Sequence, residues 1–452
     1  MSNVIWHFSN EHAQWQKKDC ALVSAPADLE ENGQRYQRME GFGGCFNELG
    51  YRALSHLSAE KRSALLSALY SPEQANFNVC RLPIGANDYA EDWYSLDETP
   101  GDYSLAHFSI ERDKRCLIPY VKEAQGYQPQ MTLFASPWSP PTWMKDPPVY
   151  NWGKLIRTPE NLRAYADYFT RFVQAYAAEG VTVHQVHVQN EPVANQKFPS
   201  CMWTGEELRV FIRDYLGPVL RKECPGTELW LGTINAPGCD YHKLIFDKWA
   251  TEDYDYFANV VLSDEEALQY ITGVSYQWGG KIAIQRTFES WWPRIRLMQS
   301  ENECGFGDNT WDYALYVWTM LKHYIGNGTE SYLYWNPVLE PTGRSTWGDP
   351  QNAMVTIDPT TRDYTLNPDF YVMKSVSAVV KRGAVRLGMR GPWAADTLAF
   401  ENPDGSLALS VFNPYCEIRT MTFRAFGETF RFALEPRSVN SMLLSQENEH
   451  DR

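Results

Sequence analysis

Residues 158–192, TPENLRAYADYFTRFVQAYAAEG followed by VTVHQVHVQNEP, hold one helix-to-strand unit. Thr158 offers a capping hydroxyl, Pro159 stands where a helix tolerates a missing N–H, and Gly180 marks the stop. Between them Leu162, Tyr165, Phe169, Phe172 and Tyr176 recur at three- and four-residue spacing, which predicts one apolar helix face. After Gly180 the period changes to two. Val181, Val183 and Gln185 alternate with Thr182, His184 and Val186, so a short β-branched strand is expected. It ends in Asn190-Glu191-Pro192. Pro192 has no backbone donor, fixes its own φ and disfavours helical geometry at Glu191. A lone acid in that place is equally a surface residue, so the rest of the chain has to decide.

Working outward, seven further strand-like runs appear: RMEGFGGCF near 42, NVCRLPIG near 81, QMTLFASPW near 133, ELWLGTIN near 231, GVSYQWGG near 276, RLMQSENE near 299 and SYLYWNPV near 334. Amphipathic segments separate most of them. Eight such units predict an α/β fold, the (β/α)8 TIM barrel. A doubly wound sheet is the rival, but GFGGCF carries Phe46 where a dinucleotide-binding turn needs its third glycine, and no phosphate loop is present. From about residue 375 the pattern turns antiparallel, with a hairpin expected around Pro403-Asp404-Gly405. The expected division is a barrel over 38–374 and a small β-sandwich from 1–37 plus 375–452.

Composition narrows the partners. A formal net charge of −15 opposes nucleic acid and electrostatic docking on anionic lipid. Nine dispersed cysteines without a CxxC pair fit free thiols better than a disulfide framework. No basic-then-apolar leader opens the chain and no apolar run reaches membrane-spanning length, so a cytosolic protein is expected. Neither a HExxH motif nor a His/Cys cluster suggests a metal, and no cofactor is expected. His184 and His187 read as barrel-wall residues. Seventeen Trp and 26 Tyr suit sugar stacking as well as ordinary core packing.

In a barrel the chemistry gathers at the C-terminal strand ends. Those ends carry, in order, Glu48, Arg81 with Asp88, Trp138, Asn190 with Glu191, Gln277 with Trp278, Glu301, and Trp335 with Asn336. Carboxylates from the fourth and seventh strands would face one cup walled by tryptophans. That pattern fits glycoside hydrolysis, in which one carboxyl protonates the leaving oxygen and the other attacks the anomeric carbon. A Pro-stiffened tip facing a second acid would keep Glu191 protonated, and Asn190 beside it could hold a sugar 2-hydroxyl. Between Glu301 and Glu303, two residues apart, spacing alone does not choose.

GFGGCFNE, RLPIGANDY, ASPWSPPTWMK, QNEP, QSENECG and YWNP occur in order over nearly the whole chain. This set resembles glycoside hydrolase family 30, the family of lysosomal acid β-glucosidase. The resemblance implies a retaining mechanism on a (β/α)8 barrel with a β-sandwich built from both chain ends. By position it makes Glu191 the acid/base and Glu301, rather than Glu303, the nucleophile. Trp138, Asn190, Trp278, Trp335 and Asn336 would surround the glycone, with Arg81 near the nucleophile. Trp203 is either a leaving-group platform or lid packing. The lysosomal enzyme has Asp where this chain has Glu48 and Tyr where it has Gly279, which puts the sugar in doubt. Glu48 is expected to meet glycone hydroxyls, the alternative being a helix-capping role. The expected activity is glucosylceramidase-type cleavage of terminal β-D-glucosidic bonds in a β-glucoside, oligosaccharide or glycolipid. Other readings are β-1,6-glucanase, β-xylosidase, β-fucosidase, or a non-catalytic carbohydrate-binding protein. Oligomeric state is left open.

Overall fold

The structure, a computed structural model, describes residues 2–235 and 257–446. Positions 447–452 of the expected side module lie outside the described residues. Eight strands form one parallel sheet: β1 Gly41–Gly44, β2 Val79–Ile84, β3 Thr132–Pro137, β4 Gln185–His187, β5 Glu228–Ile234, β6 Ile271–Gln277, β7 Arg296–Glu301 and β8 Thr329–Tyr334. Each pairs with its neighbour in chain order, and β8 returns to β1. The last gap is closed by hydrogen bonds from Asn78 N–H to the Phe42 carbonyl (2.8 Å) and Phe46 N–H to the Arg81 carbonyl (2.9 Å). The (β/α)8 barrel read from the sequence is therefore the fold.

The glycines of β1 make that closure fit. A Cβ on Gly43 would lie 1.9 Å from the Val79 carbonyl oxygen. Only a residue without a side chain lets β1 approach β2 so closely. The helix Pro159–Ala178 forms as its sequence dictates, with the Thr158 hydroxyl accepting the Asn161 N–H (3.3 Å) and Leu162, Tyr165, Phe169, Phe172 and Tyr176 all buried. The strand after it is shorter than the alternating run suggests. Only Gln185–His187 pairs as strand, because His184 Nδ1 accepts the Leu133 N–H (3.1 Å) where a ladder carbonyl would otherwise stand.

Inside the barrel Val79, Phe134, Trp230, Met298 and Leu333 pack together from five different strands. His187 stacks between Phe134 and Trp230, with ring centroids 4.3 and 5.4 Å away. This apolar plug makes the barrel a filled core rather than a pore, and it floors the cup at the strand ends.

The rest of the chain builds antiparallel sheets. A seven-stranded sheet runs in the order Ala13–Lys18, Ser2–Asn10, Ser438–Gln446, Leu407–Asn413, Thr397–Glu401, Val385–Arg390, Glu30–Arg38. A smaller one joins Arg419–Ala425, Glu428–Leu434 and Ala21–Leu22. Trp6, Leu409, Met421, Phe423, Phe432 and Met442 belong to one buried cluster made by strands of both sheets. Polar bonds tie this unit to the barrel helices: the Trp318 indole donates to Ser410 Oγ (3.0 Å), and Ser375 and Ser410 hydroxyls meet at 3.1 Å.

Candidate active site

The polar layer begins directly above the apolar plug. Arg81, on β2, is fully buried with no acid of its own strand to balance it. It stacks 4.3 Å from the Trp138 ring and donates to Ser136 Oγ (2.8 Å), Asn190 Oδ1 (2.6 Å) and the Glu301 carboxylate. Gln277 Nε2 donates to the same Glu301 oxygen (2.8 Å) and to Asn190 Oδ1 (2.9 Å). Asn190 Oδ1 also accepts from the Thr233 hydroxyl (3.1 Å). Its carbonyl side is thus saturated, while its amide nitrogen has no partner among the described residues. The sugar-facing half of Asn190 is a fixed donor.

Glu191 is placed by backbone bonds rather than by the strand ladder. The N–H groups of Asn190 and Glu191 reach Pro137 (2.8 Å) on β3 and Thr233 (3.0 Å) on β5. Glu191 itself adopts φ +47°, the left-handed region. The sequence predicts a non-helical tip, and the observed conformation goes further, since a residue before proline ordinarily prefers extended backbone. Such strain persists where neighbouring structure over-determines it, as at functional sites.

The two carboxyls differ in surroundings. Burial pushes Glu191 well above the usual carboxylate range, and the charges of Glu301 and Asp88 push it further, against a pull from Arg81. Burial also raises Glu301, to about 7, but the Arg81 guanidinium pulls it back. Burial thus favours the protonated form of both, and Glu301 alone has the Arg81 guanidinium bonded to its carboxylate. Asp88 completes the cluster. It is buried, raised to about 6 by desolvation, and its Oδ1 has no hydrogen-bond partner.

The wall of the cup is aromatic. Trp138 and Trp335 lie 5.7 Å apart, and Trp335 donates its indole N–H to Gln351 Oε1 (2.9 Å). Asn336 is fully buried, donating to the same Gln351 oxygen (3.0 Å) and accepting from Asn47 Nδ2 (3.1 Å). Gln277 is fully buried as well. Trp278 is half-buried in the short turn that follows β6. Glu303 lies beyond the end of β7, with its backbone carbonyl bonded to the Tyr313 hydroxyl (2.5 Å), and none of Arg81's bonds reach it.

Two expected ligands face elsewhere. Glu48 sits in the first turn of helix Glu48–Leu54, and both its oxygens are taken: Arg112 forks onto them (2.9 and 2.8 Å) and the Glu91 N–H donates at 2.7 Å. It opens onto a separate rim cleft with Tyr51, Arg52 and Arg115, so the hydroxyl-binding role read for it is corrected to a structural one. Trp203 is 2 % exposed, stacked against Tyr165 and Phe211, with its N–H directed to Gln189 Oε1 (3.3 Å). It is packing under the loop and not a platform.

Four supporting residues escape the sequence reading. Ser136 and Thr233 had a signal, being polar positions inside the apolar runs TLFASP and ELWLGTI. Asn47 and Gln351 had none, since each acts through a partner distant in sequence.

Buried carboxyls converging at the mouth of a parallel (β/α)8 barrel, beneath paired tryptophans, define a site of glycoside-hydrolase type. The chain belongs to glycosyl hydrolase family 30: the sequence model described as the Glycosyl hydrolase family 30 TIM-barrel domain matches residues 39–380. Lysosomal acid glucosylceramidase of Mus musculus is 27 % identical over 409 residues, covering 84 % of this chain and 76 % of that one. Endo-1,6-beta-D-glucanase of Neurospora crassa is 26 % identical over 401 residues, covering 84 % and 80 %. Among solved structures, SrfJ from Salmonella typhimurium superposes with a TM-score of 0.86 at 24 % identity, covering 99 % of this chain and 100 % of the other. The chain is thus a glycosidase by family, on the family's barrel. Among the described residues no group of three or more His, Cys, Asp or Glu side chains could hold a metal, and no helix is long and apolar enough to cross a membrane.

Proposed function

We propose that this chain is a retaining β-glycosidase that cleaves β-D-glucosidic bonds by double displacement. Glu301 attacks the anomeric carbon while Glu191 gives its proton to the departing glycosidic oxygen. Glu191 then takes a proton from water as that water displaces Glu301 and releases the sugar. The observation that carries this reading is the asymmetry of the two buried acids. Only Glu301 has a guanidinium and an amide donor on its carboxylate, which suits an ionised nucleophile. Burial and the charges of Glu301 and Asp88 push Glu191 up, ahead of the pull from Arg81 and from a hydrogen bond with the Asn235 side chain. The Asn190 amide nitrogen, without a partner among the described residues, suits the 2-hydroxyl, and the unpaired oxygen of Asp88 takes the hydroxyl-accepting role expected of Glu48.

The test is a 2-deoxy-2-fluoro β-glucoside with a good leaving group. It should inactivate the enzyme in a time-dependent way, with the label on Glu301 after peptide mapping. Label on Glu303, or steady turnover without a trapped adduct, would reject the assignment.

For the leaving group two readings stand. The mouse relative's name supports a glucosylceramidase-type substrate, the activity expected from the sequence. The Neurospora relative's name supports a β-1,6-linked glucan.

A further inference from the structure

The loop after Glu301 carries an aromatic side chain that the catalytic cluster does not use. Phe306 is 79 % exposed. It is flanked by Gly305 at φ +63° and Gly307 at φ +79°, a pair of left-handed residues that throws the ring outward on a tight turn. The turn is held from beneath. Asn352, fully buried, accepts the Gly307 N–H on its Oδ1 (2.7 Å), and its own N–H donates to the Cys304 carbonyl (2.7 Å). A Cβ on Gly305 would lie 2.7 Å from Asn352 Cγ, and one on Gly307 would lie 2.8 Å from Pro350 Cβ, so the turn is pressed onto the 350–352 segment. The adjacent Gln351 is the residue that holds Trp335 and Asn336. At the base of the turn, Cys304 feels the charges of Glu301, Asp88 and Glu191 together. The ring is therefore mounted on the same segment that fixes the cup wall, a few residues past the proposed nucleophile.

An exposed phenyl held this firmly is a surface waiting for a flat apolar partner. Its neighbours along the chain limit what that partner is. Asp308 and Thr310 are exposed and Glu303 and Asn309 half-exposed, so the ring is bordered along the turn by polar residues. An acyl chain gains affinity from a continuous apolar strip, which the polar residues on either side of Phe306 interrupt. A pyranose has an apolar face about the size of one aromatic ring and a hydroxyl rim that suits polar neighbours.

Resting on the retaining β-glucosidase reading above, we infer that Phe306 forms the subsite for the first sugar ring of the leaving group, which makes an oligosaccharide, not a ceramide, the better-fitting substrate.

The experiment compares wild type, Phe306→Ala and Phe306→Trp on three substrates: β-glucosyl fluoride, which has no leaving-group ring, the β-1,6-linked disaccharide of glucose, and glucosylceramide in mixed micelles. Wild-type turnover of the fluoride tests the β-glucosidase reading independently of Phe306, and its absence would remove that reading and this inference's basis together. Given turnover, Phe306→Ala should lower kcat/KM for the disaccharide at least tenfold more than for the fluoride. Phe306→Trp should restore the disaccharide to within about threefold of wild type. Equal losses on fluoride and disaccharide would mean that the turn merely positions Glu301, and would overturn the subsite. So would a disaccharide rate that ignores the substitution, or a loss confined to glucosylceramide.

Discussion

At the scale of single residues, the site is a contest between burial and charge. Desolvation raises Glu191, Glu301 and Asp88 alike, and one guanidinium is bonded to the Glu301 carboxylate. Two outcomes follow. Glu191→Ala should slow poor leaving groups by about 100-fold or more, the usual contribution of a positioned acid, while activated aryl β-glucosides lose less in the first step. Azide should then rescue the variant and yield a β-glycosyl azide; uniform loss without rescue would refute the acid/base role. Arg81→Gln removes the group that holds Glu301 down, so the acid limb of the kcat/KM profile should move toward higher pH by about one unit. The variant should also melt lower, because a buried carboxylate loses its partner, at a cost of about 3–5 kcal/mol. An unmoved acid limb in the surviving enzyme would show that Arg81 does not tune Glu301. What the sequence could tell at this scale was which acids stand at strand ends. It could not tell which way a side chain turns once it is there.

Glu48 shows why at the scale of elements. It stands at the end of β1 in sequence and at the start of a helix in space, and the fork of Arg112, 64 residues away, turns it from the cup. The pair joins the helix after β1 to the long connection after β2. Glu48→Gln should therefore lower the melting temperature and reduce kcat/KM for β-glucosides and β-xylosides to a similar extent. A fall selective for the glucoside, with stability unchanged, would restore the ligand role. Trp203 follows the same logic: its stacking on Tyr165 and Phe211 depends on where one helix lies against another. The strands and helices themselves were legible because their periods, two and near 3.6, depend only on local burial. β4 begins late because a side chain, His184, substitutes for a backbone carbonyl, and no periodicity announces such an exchange.

At the scale of the whole molecule, the strand Ser2–Asn10 pairs along its length with Ser438–Gln446, so the first and last described strands are held in one sheet against the barrel's outer helices. The price of a core this extensive is a set of buried acids away from the cup. Asp369 is fully buried, neither oxygen meets a partner in good hydrogen-bond geometry, and burial raises it to about 8 against a weaker pull from the nearby Tyr334 and Asn352 side chains. Glu330, paired with Arg296, is raised to about 7, and Asp113, between the Tyr94 and Tyr176 hydroxyls, to about 6. A carboxyl whose folded value lies above its unfolded value near 4 binds its proton more tightly when folded. Its contribution to stability is complete below pH 4 and is lost as pH rises to the folded value, at up to about 1.4 kcal/mol per pH unit for each group. Burial lowers His187, His184 and His7, whose opposite-signed contributions end by about pH 7, so melting temperature should fall from pH 7 to pH 8. Asp113 has finished titrating by about pH 7 and Glu330 is half-ionised there, which leaves Asp369 as the carboxyl outside the cup that carries most of the change between pH 7 and 8. Asp369→Asn keeps the shape, cannot ionise, and should flatten the fall in that interval while melting above wild type at pH 8. Parallel wild-type and variant curves between pH 7 and 8 would show that Asp369 is ionised throughout and that the burial strain lies elsewhere.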